Sequence, residues 1–249
     1  MITFESQINR NWRGTVKQEE MKVLIINGSP RQNVNTSIAL AEIAKTLGEE
    51  GIDSETVWIG NKPVRGCIAC NQCGKNPGAC VFHDDICNEI SARYASADAL
   101  VVGSPVYYGQ PNGALLSIIQ RSFYSNGANI AGKPAAAVAV CRRGGATAAF
   151  ETLNLPFQMM NMPVLGSQYW NIVYGREPGQ AALDQEGLQT MRALAHNLAW
   201  LLKATGGSPR PDAVTSLGRR CTSSGDFFTD NPNDRWARPF IRNMNSRSW

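Results

Sequence analysis

Cys67, Cys70, Cys73 and Cys80 follow one another with the spacing C-x2-C-x2-C-x6-C. Four thiolates so close in the chain can wrap one small inorganic centre, and compact runs of this kind are typical of iron–sulfur ligation. Zn²⁺ takes the same four ligands, or three of them with His83. A loop of bare thiols that holds no metal is the third reading, and the residues alone leave all three open. Gly66, Gly74, Gly78 and Pro77 supply the tight turns that wrapping needs. Cys87, Cys141 and Cys221 lie in separate segments and read as ordinary packed or surface residues. His83 and His196 are the two histidines of the chain, and no Ser-His-Asp arrangement emerges from them.

Three further segments have the composition of ligand loops. Gly28-Ser29-Pro30-Arg31-Gln32-Asn33-Val34-Asn35-Thr36 offers backbone N–H groups, hydroxyls and a guanidinium ahead of a helix, which together suit a phosphate dianion. It lacks the Gly-Lys-Ser/Thr ending of a Walker loop and the G-x-G-x-x-G dinucleotide pattern. Gly103-Ser104-Pro105-Val106-Tyr107-Tyr108-Gly109-Gln110-Pro111 sets two tyrosines between Pro and Gly, flat surfaces with hydroxyl handles for a planar ring. In Cys141-Arg142-Arg143-Gly144-Gly145 the glycines permit close backbone approach to a ring edge or a nicotinamide phosphate. A capped turn, two core-facing tyrosines and a solvated arginine pair are the plain alternatives for these loops.

The elements around these segments follow from hydrophobic period. Lys22 to Asn27, Ser54 to Ile59, Ala99 to Gly103, Pro134 to Cys141 and Val164 to Trp170 read as short strands. Helices are expected from about Thr36 to Gly51, Ile86 to Ala97 with Asp84 or Asp85 as N-cap, around Leu115 to Phe123, Ala146 to Met160, and around Leu188 to Leu202. Five strands alternating with five helices is the βαβ signature of a doubly wound parallel sheet. All three ligand loops leave strand C-termini, where such sheets bind their ligands. The division is an extension over 1–20, an α/β domain over 21–207 with a Cys-rich loop at 63–85, and an irregular tail over 208–249.

Gly28-Ser29-Pro30-Arg31 with Asn35-Thr36, then Ser104-Pro105-Val106-Tyr107-Tyr108-Gly109 and the Arg-Gly-Gly turn, resembles the NADPH-dependent FMN reductase group of flavodoxin-like proteins. The likeness runs from about Met21 to Thr205. It implies a flavodoxin-like fold and FMN, with Ser29, Arg31, Asn35 and Thr36 at its phosphate. Pro105, Val106, Tyr107, Tyr108 and Gly109 would cup the isoalloxazine, followed by Arg143 and Gly144. The T-x-T-G-x-T loop of the small flavodoxins is absent, which favours the reductase branch. The cysteine segment is similar to the compact motif of the iron–sulfur flavoproteins, which hold a [4Fe–4S] cluster beside FMN. The resemblance further implies NAD(P)H as cosubstrate, a small-molecule or protein electron acceptor, and a homodimer or homotetramer. A non-catalytic FMN electron carrier and a thiol or metal sensor on the same scaffold are the competing functions.

Composition narrows the setting. The formal charge of +4 is too small and too scattered for a nucleic-acid partner. The chain has no apolar run of about 18 residues to span a membrane, and residues 1–20 carry no apolar signal-peptide core. Seven cysteines, clustered and odd in number, do not make a secreted disulfide framework. The expectation is a reducing cytoplasm.

Overall fold

The computed structural model describes residues 21–75 and 77–209. The expected extension over 1–20 and nearly all of the tail over 208–249, with Cys221, lie outside the described residues. Within them the order is β1 (Lys22–Asn27), α1 (Asn35–Glu49), β2 (Asp53–Trp58), α2 (Cys87–Ala92), β3 (Ala99–Tyr107), β4 (Gln110–Pro111), α3 (Gly113–Asn126), β5 (Ala135–Cys141), α4 (Ala146–Met159), β6 (Ile172–Tyr174) and α5 (Gln185–Thr205).

The sheet runs β2-β1-β3-β5-β6, with β4 paired to β3 alone. Every pairing is parallel except β3 with β4. The chain passes from β1 out to β2 and then back across β1 to β3. The order therefore reverses at β1 and β3, and the crevice beyond their C-termini is where an open sheet takes its ligand.

Continuous apolar runs make this sheet because helices cover both faces. In β1, Leu24 and Ile26 pack with Leu100, Val102, Tyr94, Phe123 and Phe157 under α2, α3 and α4. Val23 and Ile25 point the other way, into Leu40, Ile43, Leu194 and Leu198 of α1 and α5. Burying one such aliphatic side chain is worth about 1.5–3 kcal/mol, so both faces hold the sheet. On the first face the Tyr94 hydroxyl lies 2.8 Å from Ser122 Oγ in a fully buried pair. Ser122 Oγ also donates to Ile118 O at 2.7 Å, so it keeps a partner without Tyr94. Tyr94→Phe should accordingly cost only about 1 kcal/mol in urea unfolding.

The edge strand differs from its sequence reading. Val164 forms a lone bridge to Ala135, and the chain then leaves the ladder until Ile172. The Asn171 amide donates to Ala137 O at 3.0 Å and to Leu165 O at 3.3 Å, sealing the gap with a side chain. The expected strand over Val164–Trp170 is thus a bulged loop, with the strand at Ile172–Tyr174. β3 continues past Gly103 to Tyr107. Because β1 pairs only as far as Gly103, Pro105 sits where β3 has become an edge, the place where proline is tolerated. The helix expected over Ile86–Ala97 is α-helical only to Ala92 and closes as a 3-10 turn over Arg93–Ser96. Its N-cap is Ile86 and not Asp84 or Asp85 as expected, while Asp85 Oδ1, one residue earlier, accepts the Cys87 N–H at 3.0 Å. Among the described residues no helix is long and apolar enough to cross a membrane.

Candidate functional site

All three ligand loops and the cysteine loop leave the C-terminal edge of the sheet, after β1, β3, β5 and β2 respectively. The loop after β1 is held by its own polar groups. Asn27 Oδ1 accepts the Ser29 N–H at 3.0 Å, Ser29 Oγ accepts the Arg31 N–H at 3.1 Å, and Trp58 Nε1 donates to Ser29 O at 2.6 Å. Ser29 and Thr36 are buried while Arg31 is exposed. α1 begins at Asn35 with no side-chain cap and no acidic residue in its first turn. No first-turn carboxylate therefore competes for its leading amides or offsets the positive end of the helix dipole.

Asn35 has a further task. Its Nδ2 donates to Glu177 O at 3.0 Å and its Oδ1 accepts the Ala181 N–H at 3.1 Å, pinning the turn after β6 beside the first loop. A Cβ on Gly175 would come within 2.9 Å of that amide nitrogen, so only glycine lets the two segments meet.

The loop after β3 is a hairpin. Val106 and Tyr107 pair with Pro111 and Gln110, and the two tip residues, Tyr108 and Gly109, both have positive φ, +52° and +76°. This is the geometry of a tight two-residue turn. Val106 packs inward, Tyr107 is half exposed, and Tyr108 projects fully into solvent. Asn112 locks the base of the hairpin. Its N–H donates to Ser104 Oγ at 2.9 Å, its Nδ2 donates to Gly28 O at 2.7 Å, and its Oδ1 caps α3 at Ala114. The first and second loops are thereby joined.

The third loop joins them through glycine. A Cβ on Gly145 would lie 2.9 Å from Gly109 Cα and 3.4 Å from Val106 Cγ1. Arg142, Arg143 and Gly144 on this turn are exposed. The structure thus places Ser29, Arg31 and Thr36, then Pro105 to Gly109, then Arg143 and Gly144 on three loops at the same edge of the sheet, with Asn35 tied to the turn after β6. Trp58, Asn112, Gly145 and Gly175 were missed as positioning residues. Asn112-Gly113 ahead of a helix carried a capping signal, whereas a lone Trp at a strand end carries none.

The cysteine loop spans from β2 to α2. Cys67, Cys70, Cys73 and Cys80 line one shallow cavity with Phe82, Arg121 and Tyr124. Burial pushes the Cys73 thiol above its usual range, and the neighbouring Cys70, Cys80 and Cys67 add to the shift. Two donors aim at sulfur, the Ala69 N–H at Cys67 Sγ and Arg121 Nε at Cys80 Sγ, each at 3.4 Å. Ala69 and Asn71 adopt φ of +53° and +56°, uncommon for residues with a Cβ and a mark of backbone held to a purpose. Among the described residues no group of three His, Cys, Asp or Glu side chains is arranged to hold a metal ion. The four thiols therefore share a cavity without closing on a point. Their donor set fits an iron–sulfur centre by chemistry. His83 is not among the residues that line this cavity, and its Nδ1 lies 3.1 Å from Asn88 Nδ2. Cys87 is buried beneath the loop, and desolvation pushes its thiol up to about 12, so it stays protonated and inert.

The family described as NADPH-dependent FMN reductase matches residues 21–177. An iron–sulfur flavoprotein of Methanocaldococcus jannaschii is 34% identical over 191 residues, covering 74% of this chain and 98% of the relative. Another, from Methanosarcina thermophila, is 30% identical over 189 residues, covering 74% and 96%. Among solved structures, RosB with bound 8-demethyl-8-formylriboflavin-5'-phosphate superposes with a TM-score of 0.59 at 17% identity, covering 88% of this chain and 95% of that one, a likeness of fold. With a flavodoxin-like sheet and these relatives in agreement, the chain belongs to the NADPH-dependent FMN reductase family, in the group that includes the iron–sulfur flavoproteins.

Proposed function

We propose that this FMN-dependent oxidoreductase takes hydride from NADH or NADPH and passes electrons onward through a [4Fe–4S] cluster held by Cys67, Cys70, Cys73 and Cys80. The observation that carries the reading is the meeting of the flavin loops and the cysteine loop on one helix. α3 starts at Asn112, which locks the β3 hairpin, and two turns on it carries Arg121, which touches Cys80. Nine residue steps separate the two, about 13.5 Å along the axis.

FMN, when bound, supplies two-electron uptake and one-electron release, and a cluster supplies single-electron storage. The chain's own residues do the placing. The open first turn of α1, Ser29, Thr36 and the Arg31 guanidinium receive the phosphate. The hairpin tip and the Arg142–Gly145 turn border the ring, and Arg142 and Arg143 on the rim offer charge to an anionic nucleotide. The acceptor is a small molecule or a protein. We further propose a homodimer or homotetramer, to be counted by sedimentation equilibrium, working in a reducing cytoplasm where clustered thiols survive.

Protein purified without oxygen should show a flavin spectrum that NADH or NADPH bleaches. A flavin that neither nucleotide reduces would return the protein to a non-catalytic electron carrier. For the phosphate loop, Arg31→Ala removes a charge-assisted bond from an exposed position that the fold does not use. FMN affinity should fall about tenfold or more, a cost of roughly 1.5–3 kcal/mol, with unchanged thermal stability. Equal affinity in a fluorescence titration would move the phosphate elsewhere.

A further inference from the structure

The apolar face of α3 is interrupted by one charged residue that no part of the flavin site uses. Arg121 has a side chain only 1% exposed, and it pairs with Asp85, itself 4% exposed. Burying a guanidinium is costly unless its donors are met. Here they are met almost entirely by the cysteine loop. Nε donates to Cys80 Sγ at 3.4 Å, Nη1 to Arg65 O at 3.2 Å and to Asp85 Oδ2, and Nη2 to Phe82 O at 3.3 Å. Arg65 precedes Cys67 and Phe82 follows Cys80, so a single planar fork clasps both ends of the loop. Arg65 closes the same neck from outside, its guanidinium 4.3 Å over the Phe82 ring. Asn88 adds a second tie, exchanging hydrogen bonds of 2.8 and 2.9 Å with the Cys80 backbone. A buried ion pair contributes little net stability over an apolar replacement. What the arrangement secures is position, together with charge beside a sulfur.

We infer that Arg121 is a positioning residue for the cysteine loop and that the Arg121–Asp85 pair sets the reduction potential of the centre held there. The inference rests on the cluster reading above. A cluster on four thiolates is negative and gains one more negative charge on reduction. A guanidinium N–H on a ligand sulfur favours the reduced state, and a carboxylate close behind it opposes that. Removing either partner alone therefore moves the potential in opposite directions. Arg121→Gln leaves Asp85 uncompensated and lowers it. Asp85→Asn leaves the guanidinium uncompensated and raises it.

The test is an anaerobic redox titration of full-length holoprotein with dithionite and mediator dyes, read by the spectrum of the reduced cluster. Dithionite is oxidised as one electron enters each cluster. Each variant should shift the reduction equilibrium at least tenfold, about 59 mV for one electron, with opposite signs. Potentials unchanged, or displaced the same way with iron retained, would overturn the inference. If Arg121→Gln does not keep iron, Arg121→Lys replaces it. Lysine keeps the charge but not the fork, so in this variant the potential should stay near the parent's, while a fall of tenfold or more in the reduction equilibrium overturns the electrostatic claim. Iron in the parent protein is measured first. A parent without iron overturns the cluster reading, and the electrostatic half falls with it. The clasp is then judged by tryptic cleavage after Lys75, where faster cutting in Arg121→Gln supports it and equal cutting overturns it.

Discussion

Cys70→Ser protein made without oxygen should keep its FMN and lose most of about four irons per chain, the content of one [4Fe–4S] cluster. Cys70 is exposed in a loop, so the replacement removes no core contact and the fold should survive it. The flavin loops hang from β1, β3 and β5, while Cys70 hangs from the loop after β2 and lies on none of them. Loss of iron without loss of flavin therefore separates ligation from collapse. Parent protein with full FMN and no iron would remove the cluster. Stoichiometric zinc would assign the loop to a structural metal, and four titratable thiols without metal would leave a plain flavin reductase.

Gly145→Val should weaken FMN binding roughly a hundredfold. Gly145 has φ of +85°, a conformation that costs a β-branched residue about 1–3 kcal/mol. Its added Cβ would also lie 2.9 Å from Gly109 Cα and 3.3 Å from Gly109 N. Gly109 is itself a positive-φ turn residue at the tip of a two-residue hairpin, so its backbone has nowhere to yield. The hairpin and the third loop must part, and a loss near 3 kcal/mol in binding geometry corresponds to the stated factor. Thermal stability should drop alongside. Gly48→Ala, on α1 with nothing within 4 Å of its Cβ, is the control and should be neutral or slightly stabilising. Parent-like FMN affinity in Gly145→Val would show that the two loops do not form one pocket.

What the sequence disclosed and what it withheld have physical reasons. β1 was legible because Val23 to Asn27 is buried on both faces and therefore apolar throughout, a pattern no surface segment needs. The cysteine motif was legible because all four thiols belong to one loop, so sequence spacing limits spatial spacing. The edge strand was not legible. Val164 and Leu165 look like the start of a strand, yet the residues that pair are Ile172 to Tyr174, and the seam between is closed by the Asn171 side chain. Backbone pairing replaced by a side-chain amide leaves no period to read. Arg121 was hidden for a related reason. A charge on an apolar helix face has meaning only once its partner is known, and Asp85 lies 36 residues earlier in the chain. The three loops at the C-terminal edge of the sheet stood out by composition, but the contacts uniting them, Asn112 with Gly28 and Gly145 with Gly109, join residues far apart in sequence.

The sharing of α3 by the hairpin and the cysteine loop makes that helix a ruler. Its N-terminus is anchored at Asn112 and its eighth residue beyond Gly113 is anchored at Cys80, so the distance between the two sites is written as a number of residues. One residue inserted between them would lengthen the ruler by about 1.5 Å and swing the far anchor through about 100°. Arg121 would then face away from the loop it clasps. Point substitutions on the exposed face of α3 are free to vary, but its length between those two anchors is not.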